Sequence, residues 1–113
     1  MDAGADRSPD FAVEFVDDDT PVVIVRGELD FETSPRLRDE LVGLTRRGDA
    51  LVRVDLAQVS FIDSVGLSVL VQAKKRYDAE ARVLQFGPVS ARVRATVDLA
   101  GATQFLGLDG TGS

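Results

Sequence analysis

The chain has no cysteine, no histidine and no tryptophan, and a single tyrosine among its 113 residues. Without cysteine there are no disulfides, no thiolate metal sites and no cysteine nucleophile. Without histidine the commonest metal ligand and the commonest general base are missing, so a Ser-His-Asp triad cannot be assembled within the chain. Apolar runs are only a handful of residues long, far short of a bilayer span, and no signal-peptide pattern opens the sequence. A soluble cytoplasmic protein with no membrane association is therefore expected. No G-x-S-x-G, P-loop or dinucleotide glycine motif occurs either. Acid pairs such as Glu28 and Asp30 read as solvated surface groups. No enzymatic activity, catalytic residue, metal or cofactor is assigned.

Basic clustering is also scarce. The net charge is −6, and residues 1–20 alone account for it, with Asp2, Asp6, Asp10, Glu14, Asp17, Asp18 and Asp19 against Arg7. The rest of the chain is balanced. Counterion release on nucleic acid needs clustered lysine and arginine, so direct nucleic-acid binding is not expected. The one basic run, Lys74-Lys75-Arg76, reads as a helix C-terminus complementing the helix dipole.

What the chain does have is a core. Its 44% hydrophobic content and its length suit one compact domain. Residues 1–10 read as a flexible acidic arm, 11–108 as the domain and 109–113 as a flexible tail. A loosely alternating segment, 11–16, and a Val/Ile-rich one, 21–26, flank an Asp-rich turn and read as a hairpin. Thr33-Ser34-Pro35 reads as a helix start with a hydroxyl cap and proline at the first helical position. Leu37, Leu41 and Leu44 follow at the spacing of one buried helical face. Residues 51–56 form a strand, and 59–62 stay extended toward Asp63-Ser64. A second helix fits 64–77, with Leu67, Leu70 and Val71 on one face. A strand over 81–86 is broken by Gly87-Pro88. A third helix then carries Val89, Val93 and Val97 on one stripe and stops at Gly101, and Phe105-Leu106 forms a last short strand. Strands alternating with helices predict an α/β fold: a mixed sheet of four to six strands, an N-terminal antiparallel hairpin and three to four flanking helices.

The strand-to-helix junction at 59–67 holds the most information. Asp63 and Ser64 both favour N-caps, since a side-chain oxygen accepts an orphan N–H. Gly66 is a poor helix former in the first turn, and its bareness lets another backbone or a bulky group come close. Ser64 reads either as a plain capping hydroxyl or as a modifiable one. A phosphate there would lie beside free helix N–H groups and would change the surface charge without requiring a change of fold.

The string Val-Ser-Phe-Ile-Asp-Ser-Val-Gly-Leu (59–67) closely resembles the hallmark of STAS domains of the anti-sigma factor antagonist type. Arg-Gly-Glu-Leu-Asp-Phe-Glu-Thr-Ser-Pro-Arg-Leu-Arg (26–38) resembles the G-E-L-D…T-A-P…L-R segment of that family. Val-Asp-Leu-Ala-Gly-Ala (97–102) is a weaker match to its late D-x-x-G-L. The chain departs from the pattern with Val65 in place of a second Ser or Thr, Ser34 in place of Ala, and Ala102 in place of Leu.

The resemblance implies an anti-sigma factor antagonist. In such proteins the serine corresponding to Ser64 is phosphorylated by a partner that is both serine kinase and anti-sigma factor. The unphosphorylated form binds that partner and frees a sigma factor, and a serine phosphatase restores it. Asp30, Asp63, Ser64, Val65, Gly66 and Leu67 are the partner-binding residues so implied, on a chain expected to be monomeric.

Two other readings compete. A receiver-type phosphoacceptor would use Asp55, but needs an acidic metal-holding cluster at neighbouring strand ends that the chain order does not supply. A non-phosphorylated STAS interaction module, in a stress-signalling or transport-associated complex and with a capacity to bind nucleotide, would leave Ser64 as a mere cap.

Overall fold

The computed structural model describes residues 11–17 and 19–108, so the arm over 1–10 and the tail over 109–113 lie outside the described residues. The hairpin forms first in the chain, as β1 (Ala12–Val16) and β2 (Val22–Leu29). They pair antiparallel from Ala12 opposite Arg26 to Val16 opposite Val22. Helix α1 (Ser34–Thr45) returns the chain to β3 (Leu51–Ile62), which pairs parallel with β2. Helix α2 (Ser64–Ala79) leads to β4 (Val83–Val89), parallel to β3, and α3 (Ala91–Leu99) follows. The sheet is mixed, in the order β1-β2-β3-β4.

Period-two alternation explains the layering. Val52, Val54 and Leu56 of β3 are buried while Leu51 and Arg53 are exposed. Val23 and Val25 of β2 and Leu84 and Phe86 of β4 turn inward with them. Against this face lie Leu37, Leu41 and Leu44 of α1, Leu67 and Leu70 of α2, and Val93 and Val97 of α3, all in one core. The outward side of the sheet is mixed, with Leu51 and Val83 exposed alongside paired polar side chains. Arg26 donates to Glu14 Oε1 at 2.9 Å and Gln58 Oε1 at 3.1 Å. The result is a two-layer α/β domain. No helix among the described residues is long and apolar enough to cross a membrane.

The buried spacing in β3 lengthens after Leu56, to Val59 and Ile62. The register absorbs this with bulges, where three residues of β3 advance against two of β2 between Ile24/Asp55 and Arg26/Gln58. Asp55 Oδ1 accepts the Ala57 N–H at 2.9 Å in that irregularity. Asp55 is thus a mid-strand residue, away from the strand ends where a receiver-type cluster would form.

Three local expectations need correction. Gly87-Pro88 does not break β4. The peptide between them is cis, and β4 runs on to Val89, carrying one extra residue against β3 between Phe86 and Val89. An edge strand with a bulge tolerates a residue that has no N–H to give. Val89 therefore belongs to the strand, and α3 begins later, with the Ser90 hydroxyl accepting the Val93 N–H at 3.2 Å. Phe105-Leu106 forms no strand. Hydrogen bonds from Leu106 N–H to the Ala102 carbonyl and from Leu108 N–H to the Thr103 carbonyl curl it into successive turns, which press Leu106 and Leu108 into the core. Finally, Thr33 makes no side-chain cap to α1, and Pro35 sits one position further into the helix than expected.

Candidate functional site

Because β2, β3 and β4 are parallel and each is followed by a helix, their carboxyl ends and the three helix N-termini gather at one end of the domain. Loops there are free of sheet pairing, and this is where α/β sheets place their sites.

The first loop is built by Asp30. Its Oδ1 accepts the N–H groups of Glu32 and Thr33, both at 3.0 Å, and its carbonyl accepts the Ser34 N–H at 2.8 Å. Asp30 thus supplies the N-terminal hydrogen bonding expected of a hydroxyl cap within Thr33-Ser34-Pro35. The buried Thr33 hydroxyl turns back instead, donating to the Glu28 carbonyl at 2.6 Å and accepting the Asp30 N–H at 3.0 Å.

The second loop is the β3–α2 corner. Asp63 has extended backbone and is the N-cap of α2. Its Oδ1 accepts the Gly66 N–H at 2.8 Å, and its Oδ2 accepts the Phe31 N–H at 3.0 Å. One carboxylate therefore caps α2 and ties the corner to the first loop, while the Asp63 N–H donates to the Leu29 carbonyl at 3.3 Å.

With Asp63 as the cap, Ser64 is the first residue of α2, exposed, with no hydrogen bond to its hydroxyl among the described residues. It is not the capping hydroxyl. The N–H groups of Ser64 and Val65 likewise meet no acceptor among the described residues, as the first helical turn requires. Positive dipole and open donors thus face solvent at the Ser64 side chain.

The other expected residues divide by burial. Val65 is 44% exposed, whereas Gly66 is buried and Leu67, at 8%, packs into the core. Gly66 and Leu67 hold the corner in place and offer little surface for contact. A Cβ on Gly66 would collide with the Leu29 carbonyl oxygen and stand 3.0 Å from Leu29 Cγ.

Sequence reasoning overlooked two aromatic residues. Phe31 is 69% and Phe61 is 38% exposed, one in each of the segments that meet at this end. Phe31 stands between Asp30 and Glu32, and a lone aromatic in an acidic loop was the available signal. The Arg92 guanidinium lies 5.9 Å from the centroid of the Phe61 ring, within cation–π range. Exposed aromatics beside an exposed hydroxyl make a surface suited to another polypeptide. No group of three or more metal-ligating residues occurs among the described residues.

A family model described as "Mlab, STAS domain" matches residues 14–108. An anti-sigma-B factor antagonist of Staphylococcus epidermidis is 38% identical over 84 residues, covering 74% of this chain and 78% of that protein. The anti-sigma-B factor antagonist of Bacillus subtilis is 35% identical over 79 residues, 70% of this chain and 72% of its own. The crystal structure of an anti-sigma factor antagonist from Mycobacterium paratuberculosis superposes with a TM-score of 0.76 at 26% identity, covering 92% of this chain and 90% of that one.

Proposed function

Because the chain belongs to the STAS domain family, we propose that residues 11–108 are a STAS domain acting as an anti-sigma factor antagonist, switched off by phosphorylation of Ser64. In its unphosphorylated form it binds an anti-sigma factor that is also a serine kinase, and so frees a sigma factor. A serine phosphatase reverses the modification. The observation that best supports this reading is the position of Ser64: exposed, free of any capping duty, and first in α2 at the end of the domain where Phe31, Phe61 and Val65 are exposed. The names of the relatives supply the partner class.

The chemistry at this corner needs nothing from the chain beyond presenting an oxygen. The kinase supplies the base and the nucleotide. The transferred phosphoryl group takes the place of the hydroxyl proton, and the product gains about −1.5 to −2 charge. That dianion sits where the helix dipole tolerates it, yet beside the Asp63 carboxylate and amid exposed apolar side chains. Burying it against a partner without a countercharge costs on the order of 3–5 kcal/mol. At 1.4 kcal/mol per decade this is roughly a hundred- to a few-thousand-fold loss of affinity. Docking is abolished without any unfolding.

The test begins with capture of the partner from a native lysate on the Ser64→Ala chain, then calorimetry with the purified partner. Ser64→Ala should retain binding in the presence of ATP, and Ser64→Asp should bind more weakly. Incubation of the unaltered chain with partner and ATP should yield a phosphopeptide containing Ser64. Equal affinity of the two variants, or phosphate on another residue, overturns the switch.

A further inference from the structure

Between α1 and α2, on the outer surface of the helical layer, runs a groove of about 620 Å3. Its floor is apolar, formed by Leu41 and Val42 of α1 and Val69 and Ala73 of α2. The volume lies within the range of small-molecule sites, which pair an apolar body with a few placed polar groups.

Its charge sets this groove apart. Three of the residues lining it are charged, and all three are cations: Arg38 on one wall, Lys75 and Arg76 on the other. This is an unusual rim for a chain in which acidic residues outnumber basic ones, 19 to 13. Nor are these cations strongly engaged elsewhere. Among the described residues, Arg38 pairs with its sequence neighbour Asp39, at 3.6 Å, and Arg76 with Glu80, at 3.7 Å. These are long, exposed pairs of little energetic weight. Lys75 has no ion pair among the described residues. Arg38, in the second turn of α1, and Arg76, in the last turn of α2, put a guanidinium on each wall of an apolar trough. A guanidinium suits a carboxylate head, which it binds through paired N–H donors, above an aliphatic or aromatic body.

We propose that the α1–α2 groove is a binding site for a small amphipathic carboxylate, its apolar body on Leu41, Val42, Val69 and Ala73 and its head held by the rim cations Arg38, Lys75 and Arg76. Phe31 and Val65 close the end of the groove nearest Ser64, so an occupied groove changes the surface offered to the partner. That consequence rests on the function proposed above, whereas the binding itself does not.

The test is an amide-resolved NMR titration of the full chain with decanoate, decanol and decyltrimethylammonium, each below its micelle concentration. Decanoate should saturate a single site with shifts centred on residues 38, 42, 69 and 73, and should bind about tenfold or more tightly than decanol. The cation should not bind. Ser68→Trp, an exposed position on the groove wall, should fill the trough and remove binding. Arg38→Gln combined with Lys75→Gln should bring decanoate down to the affinity of decanol, while circular dichroism shows both variants folded. Equal binding of acid, alcohol and cation, non-saturable shifts, or shifts mapping elsewhere overturns the site. A nucleoside triphosphate that perturbs the groove where decanoate does not overturns the ligand class.

Discussion

Gly66, in the first turn of α2, lies so close to the Leu29 carbonyl at the end of β2 that no side chain fits between them. This contact sets the height at which α2 leaves the sheet, and with it the position of Ser64 two residues earlier. Gly66→Ala must push the helix end away from a backbone oxygen that cannot turn aside. It should cost about 1–3 kcal/mol, the usual range for overpacking, read as a lower urea midpoint. A variant as stable as the parent would mean that the corner gives way easily.

Asp63 should matter through its two oxygens separately. Asp63→Ala removes both the α2 cap and the bond to the Phe31 N–H, and should lose about 2 kcal/mol. Asp63→Asn keeps one acceptor and loses the other, because its amide oxygen accepts an N–H and its amide nitrogen cannot. It should fall between parent and alanine. The two variants melting alike would show that only one of the bonds contributes.

Much of this corner is legible in the sequence, and the residues show why. Gly66 was readable as a place of close approach because a glycine inside a helical turn has few other uses. Asp63 and Ser64 are equally good caps by residue type, and only the geometry of the chain entering α2 gives that duty to Asp63. The exchange between Asp30 and Thr33 was hidden for a related reason. Both can bond to nearby backbone, and the choice depends on the Glu28 carbonyl, which receives the Thr33 hydroxyl. Gly87-Pro88 looked like a terminus because local preference says nothing of edge strands, where a proline is tolerated. Phe105-Leu106 was apolar enough for a strand, but Gly107, at φ +74°, belongs to a turn. Periodicity located the elements, and tertiary contacts decided their ends.

Tyr77, the chain's only tyrosine, is buried with a hydroxyl that finds no hydrogen-bond partner among the described residues. Burial holds its phenol above the ordinary value near 10, against the opposing pull of the Arg82 guanidinium. A buried polar atom without a partner is a cost, so Tyr77→Phe should leave stability unchanged or raise it by up to about 1 kcal/mol. The pH dependence follows from the sign. The folded state holds the proton more tightly than the unfolded chain. The contribution is therefore complete below pH 10 and declines as the pH rises from there through the folded value. Denaturation across that alkaline window should show the decline in the parent and not in Tyr77→Phe, with phenolate absorbance reporting a single titration. Identical alkaline profiles would show that the phenol is not the group responsible.

Both oxygens of the Asp63 carboxylate are already committed, one to the helix and one to the neighbouring loop. The surface around Ser64 is thereby held in shape before anything arrives. Under the switch proposed above, an incoming protein would meet a rigid template, give up little freedom in ordering it, and reserve its interaction energy for telling a bare hydroxyl from an esterified one.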